Sequence, residues 1–250
     1  MKQRLTKVTN IIPILAVIII WETVVRLGFV PSYFLPSFSQ VMCSFITLVL
    51  NGELVYSFYR SLLRVIIGLS LGVSTGVILG IAMGYNRIVE NTLNPIFYLL
   101  YPIPALGWLP LLLIWIGISD LLPITLIFLC SFFPLLYNTL TGVKSVDKQL
   151  VMVAKTLGAS DIQILVEIVI PLAVPNIFTG LRLEAGMAWR TVLAAEMVAI
   201  PIGLGALAMK AQSLLLIDVI IDVLIVLSLI CLISEKIIEF LEKKLTKDWL

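Results

Sequence analysis

The chain has 250 residues, 60% hydrophobic and 13% charged, with a mean hydropathy of +1.12 and a formal net charge of +2. Such a composition excludes a water-soluble globular domain. There is no histidine, and the three cysteines, Cys43, Cys130 and Cys231, are scattered without C-x-x-C spacing. That argues against Ser-His catalysis, metal sites, disulfides and histidine proton relays, so neither an enzyme nor a bound cofactor is expected.

About 20 apolar residues cross a bilayer. Six segments qualify, at 11–30, 65–84, 95–116, 121–142, 176–200 and 219–241. The expectation is one all-α, polytopic membrane domain over 1–250, surrounded by lipid, with no nucleic-acid partner. Residues 1–20 have the basic start and apolar run of a secretory signal, but no small-residue cleavage site follows, and an uncleaved first span is expected. A mildly amphipathic external stretch then leads to Arg60.

The second span carries Gly68, Gly72, Gly76, Gly80 and Gly84 at a strict interval of four. Lipid gives helices little hydrophobic drive to associate, so close approach across small residues supplies the packing and this helix should be central. The third span holds Pro95, Pro102, Pro104 and Pro110, with Asn94 and Pro95 suited to a helix start. Its inner prolines remove backbone donors, and broken helices of this kind border transport paths; Trp108 lies in this segment. A kinked packing helix is the other reading.

After the fourth span comes the one long amphipathic segment away from the termini, 147–171. Leu150, Val153, Ala154 and Leu157 fall at i, i+3, i+4 and i+7, on one helix face. Gly158 can end that helix in the left-handed conformation, and Ser160 with Gln163 has the spacing of a capping box. A second helix should run to Ile170, which Pro171 biases away from helical geometry. The result is a rigid helix-glycine-helix knob on the membrane surface.

The fifth span contains Arg182, Glu184, Arg190 and Glu196, each costing roughly 2.5–3.5 kcal/mol near the bilayer centre unless it faces protein or water. At ~100° per residue, Arg182, Gly186, Trp189, Arg190, Leu193 and Glu196 share an arc, and Glu184 points the opposite way. That arc lines a translocation path at a dimer axis, or else Arg182 snorkels and Arg190 pairs with Glu196. An external loop with Gly203 and Gly205 follows. Asp218 and Asp222 read as solvated carboxylates at the mouth of the sixth span.

Eleven basic residues, among them Arg87, Lys144, Lys148 and Lys155, fall on the side of the termini and four on the other, which places both termini and the knob in the cytosol. No G-x-x-x-x-G-K-[ST] occurs, so there is no phosphate-binding loop for ATP hydrolysis.

Several motifs resemble one family. In 147–171, Met152, Val153 and Ala154 stand where the membrane subunits of ABC importers carry E-A-A, followed at the family spacing by Gly158 and by Ile168-Val169-Ile170-Pro171. The acidic first position is absent. W-E-x-x-V-R at Trp21, F-L-P-S at Phe34, S-L-x-R at Ser61 and P-I-P-A-L-G-W-L-P from Pro102 are similar to the permeases for nitrate, sulfonates and taurine. The resemblance implies the type I importer fold, in which Met152, Val153, Ala154, Gly158, Ala159, Ser160, Ile168 and Pro171 couple to a cytosolic ABC ATPase dimer. It also implies a second copy of the chain, an extracytoplasmic solute-binding protein and a small anionic substrate such as a sulfonate, taurine, nitrate or bicarbonate. A self-sufficient secondary transporter is the alternative; it would show inverted repeats or an ion-coupling cluster, and no repeat is evident.

Overall fold

The computed structural model describes residues 2–246, and the side chains of 12, 13 and 15–244. Among the described residues every regular element is helical: α1 Lys2–Arg26, α2 Phe38–Leu50, α3 Glu53–Tyr85, α4 Arg87–Leu100, a 3₁₀ turn Ala105–Trp108, α5 Leu109–Ile116, α6 Leu121–Lys144, α7 Lys148–Thr156, α8 Asp161–Ile164, a π segment Leu165–Val169, α9 Ile170–Ala199, α10 Leu204–Ser213 and α11 Ile217–Thr246.

The glycine interval of α3 explains the centre of the fold. Gly68, Gly72, Gly76, Gly80 and Gly84 face Ile127, Ser131, Leu135, Thr139 and Val143, a matching row of every fourth residue on α6. A methyl group on Gly76 would sit 2.8 Å from the Phe132 carbonyl, and one on Gly80 would sit 2.6 Å from Thr139 Cβ and 2.7 Å from the Leu136 carbonyl. The two backbones are therefore as near as helices can come, as small-residue packing in lipid requires. On its other side α6 meets α9 in the same way, with Gly142 against Ala173 and Asn176, and Gly180 against Asn138.

Four helices are long and apolar enough to cross a membrane, Glu53–Tyr85, Leu121–Lys144, Asp161–Ala199 and Ile217–Lys244, and the pair Arg87–Leu100 and Ala105–Ile116, bent by 82°, makes a fifth if taken as one span. The expected first span lies on α1, partly outside the described side chains. The helix stops at Arg26, so 27–30 do not belong to it.

Two expected boundaries move. The helix of the third span begins at Arg87, not Pro95, because the Asn86 side chain accepts from the Ile88 and Val89 N–H groups and caps it there; Pro95 lies inside α4. The chain then breaks at Tyr101–Pro104, where the paired prolines withhold two N–H donors. At the other site, Ile170 stays helical, with φ −60° and ψ −50°, and the chain does not break before Pro171. The π segment just ahead is a wider turn, which makes room where the proline ring would strike the carbonyl of Glu167. Helix α9 thus continues the knob directly into the span.

Gly80→Ala should destabilise the protein by about 1–3 kcal/mol, since the backbone of α6 must give way. Thermal unfolding in detergent should show a lower Tm for this variant, and no change for Ser74→Ala on the exposed side of the same helix.

Candidate functional site: an apolar knob and a buried ion network

The knob forms as its residues dictate. Asp147 caps α7 by accepting from the Gln149 N–H at 2.8 Å. Gly158 takes φ +87°, and the N–H groups of Gly158 and Ala159 return to the carbonyls of Lys155 and Ala154, each at 3.0 Å. Ser160 and Gln163 then make the expected reciprocal capping box. One face of the knob docks on the rest of the molecule. Val151, Ala154, Ala159 and Ile164 pack inward on Val143, Val169 and Ala173 at the ends of α6 and α9. Leu150 and Val153 turn outward, with Met152, Leu157 and Ile162. Exposure reaches 81% at Leu157 and 75% at Ile162, and Leu150, Val153 and Leu157 lie along one side of α7. Ser160 is exposed and Gly158 has open space around it, while Ile168 and Pro171 are half-buried in the exit from the knob. An exposed apolar patch on an otherwise polar element outside the spans is what an interaction surface looks like.

At the opposite end of the helices lies a network that sequence reading did not assemble. Arg64 of α3 is only 3% exposed. Its Nη1 donates to Glu196 Oε1 and to the Ile202 carbonyl, both at 2.6 Å, and its Nε and Nη2 donate to Asp120 Oδ1 at 2.9 and 2.5 Å. Glu196, 1% exposed, also accepts from the Ser61 hydroxyl at 2.8 Å and from the Gly205 N–H at 3.0 Å. Ser61 in turn accepts from the Leu204 N–H. Both buried charges of this network, Arg64 and Glu196, have partners, which is the condition for holding an ion pair in a low dielectric. The hydrogen bonds of Arg64, together with its charge and that of Arg60, hold the Asp120 carboxyl below its ordinary pKa. The loop wraps Glu196 so closely that a Cβ on Gly203, whose φ is +143°, would fall 2.3 Å from the carboxylate, and one on Gly205 would fall 2.2 Å from the Leu193 carbonyl. This is why G-L-G stands there.

The residues assigned to one polar arc of α9 separate. Glu196 and Trp189 are buried inside the protomer, Trp189 stacked on Phe58 with its indole N–H donating to Ser234 Oγ at 3.0 Å. Arg190 is exposed and donates to the sulfur of Met187, and where the second reading had an Arg190–Glu196 pair the structure has Arg64–Glu196. Arg182 pairs with Glu242 of α11. Glu184 does turn away from that arc, buried against Cys130 of α6. Trp108 lines a small cavity of about 140 Å³ with Tyr101, Pro104, Cys130 and Phe133 beside the break in the bent pair. Asp222, expected in solvent, is fully buried beside Ser44 of α2. Among the described residues no three His, Cys, Asp or Glu side chains gather to hold a metal.

The profile of the binding-protein-dependent transport system inner membrane component matches residues 72–247. The chain belongs to this family. A taurine transport system permease protein of Escherichia coli (strain K12) is 37% identical over 246 residues, covering 96% of this chain and 90% of its own length. A nitrate import permease protein of Synechocystis sp. (strain ATCC 27184 / PCC 6803 / Kazusa) is 32% identical over 217 residues, covering 83% and 79%. In fold, the chain is similar to one in the MetNI methionine ABC transporter solved in inward-facing conformations, with a TM-score of 0.57, 16% identity, and coverage of 75% of this chain and 95% of that one. The protein is therefore a multi-pass membrane protein and the permease component of an ABC importer that works with a separate ATPase and a binding protein. The self-sufficient secondary carrier finds no support.

Within such a permease the Arg64 network ties α3, the start of α6, the end of α9 and α10 into one unit. Glu196→Ala should cost about 3–5 kcal/mol by leaving Arg64 buried with one of its two carboxylate partners. Its Tm in detergent should fall well below that of Arg60→Ala, whose pair with Asp120 is partly exposed.

Proposed function

We propose that two copies of this single-domain permease enclose a path for a small sulfonate or related oxyanion, and that the knob at 147–171 is the handle by which the ATPase moves them. The knob and both termini lie on the cytosolic side in this reading, which the distribution of lysine and arginine supports. The carrying observation is the outward apolar side of α7, Leu150, Val153 and Leu157 with Met152 and Ile162, held on a helix that packs directly against the ends of α6 and α9. A partner that grips this side moves the spans with it, because α9 runs on from the knob through the π segment without a flexible joint. Met152, in place of the family's usual acidic residue, makes this grip apolar.

The path in this reading runs along the exposed stripe of α9, with Arg190 on it and Trp108 beside the break in the bent pair. Exposed charge in an apolar span demands water or a second protein surface, and Arg190 is exposed with no ion pair among the described residues. Arg182 stands at the cytosolic end. Trp189 and Glu196 support the path from behind. The substrate class follows the taurine and nitrate permeases to which the chain is similar, and the one exposed arginine of that stripe suits an anion.

Leu157→Asp and Val153→Asp should each weaken co-purification of the cognate ATPase by roughly 2 kcal/mol or more, about 30-fold, as for central residues of an interface. Thermal unfolding should leave them close to the wild type, because both side chains are exposed in the permease. Retained ATPase with both variants would overturn the coupling assignment. For the substrate, ATP-dependent uptake of radiolabelled taurine in vesicles carrying the complete transporter should be competed by sulfonates and not by neutral amino acids.

A further inference from the structure

On the knob side of the molecule, the ends of α3 and α6 and the starts of α4 and α7 wall a cavity of about 770 Å³. Its apolar lining comes from valines such as Val143 and Val151, and its polar lining from Arg87, Lys144, Lys148, Glu90 and Asn91. Glu90 is taken by Lys144 in an ion pair. Arg87 and Lys148 have no ion-pair partner among the described residues, and the nearby Asp147 is spent on capping α7. Two exposed cations without an ion pair therefore line one space, beside an amide that donates hydrogen bonds.

The position narrows the occupant. Gly84, Tyr85, Val143 and Lys144 are the last residues of two membrane-crossing helices, so the cavity opens where hydrocarbon gives way to headgroups. Basic pockets between spans on the cytosolic side suit anionic headgroups, and a guanidinium matches phosphate oxygens in a two-pronged geometry. From this we infer that the cavity binds a phosphate group, supplied by an anionic phospholipid whose glycerol lies on the valines. The inference rests on the membrane placement proposed above and not on the ATPase contact. Because the ligand would touch α7 on one side and α3, α4 and α6 on the other, it would brace the knob against the spans.

The test uses the complete transporter purified from membranes and placed in nanodiscs with equal amounts of phosphatidylglycerol and phosphatidylcholine. Lipid retained after mild detergent extraction is read by native mass spectrometry. The wild type should retain phosphatidylglycerol preferentially. Arg87→Gln with Lys148→Gln should lose that preference by about five-fold per charge and about 25-fold together, at roughly 1 kcal/mol per basic residue. Lys155→Gln, on the knob but outside the cavity, should change nothing. Calorimetry with inorganic phosphate in neutral detergent separates the sources: binding there that the double variant lacks, without any lipid preference, assigns the phosphate to solution. Equal retention by wild type and double variant overturns the inference. So does loss of the ATPase from the double variant with lipid retention intact, which would make the cavity a socket for an acidic residue of that partner. Leu157→Asp should strip the ATPase and leave the lipid, so the two readings fail separately.

Discussion

The structure depends on one close approach, that of α3 to α6 along five glycines. Lipid does not squeeze helices together, so what holds them is contact between surfaces with no side chain intervening. Each glycine of the row meets a residue of α6 at the same helical interval, and the match at all five positions fixes both crossing and register of the two helices. α9 then uses the other side of α6, again through small residues. The three helices form a rigid block on which the bent pair, α10 and α11 are placed.

The block carries a different kind of bond at each end. At one end, charge is buried. Arg64, Glu196, Asp120 and Ser61 come from three separate parts of the chain and satisfy one another with main-chain groups of the loop, which locks that loop to the helix ends. At the other end, apolar surface is exposed. The knob spends one side of α7 on anchoring itself and leaves the other uncovered. In the function proposed above, the ATPase delivers its work through this rigid handle, which is continuous with a span.

Much of this was legible in the chain. Composition and the length of apolar runs determine a polytopic helical protein, because each crossing needs its own run of apolar residues. The glycine interval determines which helix is central. Asp147, Gly158, Ser160 and Gln163 determine the knob, because caps and a left-handed glycine act within a few residues of themselves. The start at Arg87 was also present in Asn86, a capping residue overlooked in favour of Pro95.

What the tertiary structure alone decided are the choices between partners far apart in sequence. Arg190 and Glu196, six residues apart, were a pair that the chain allowed. Burial gave Glu196 to Arg64, 132 residues away, because desolvated charge takes the partner that packing brings to it. The docking side of α7 was decided likewise: Leu150 and Val153 are as apolar as Val151, and only the shape of the span ends selects which of them is covered. Asp222 and Asp218 look alike in the chain, yet α2 covers the first. Local physics settles caps, turns and lengths, whereas the assignment of faces and ion pairs waits for the packed helices, since it depends on distances that no local pattern encodes.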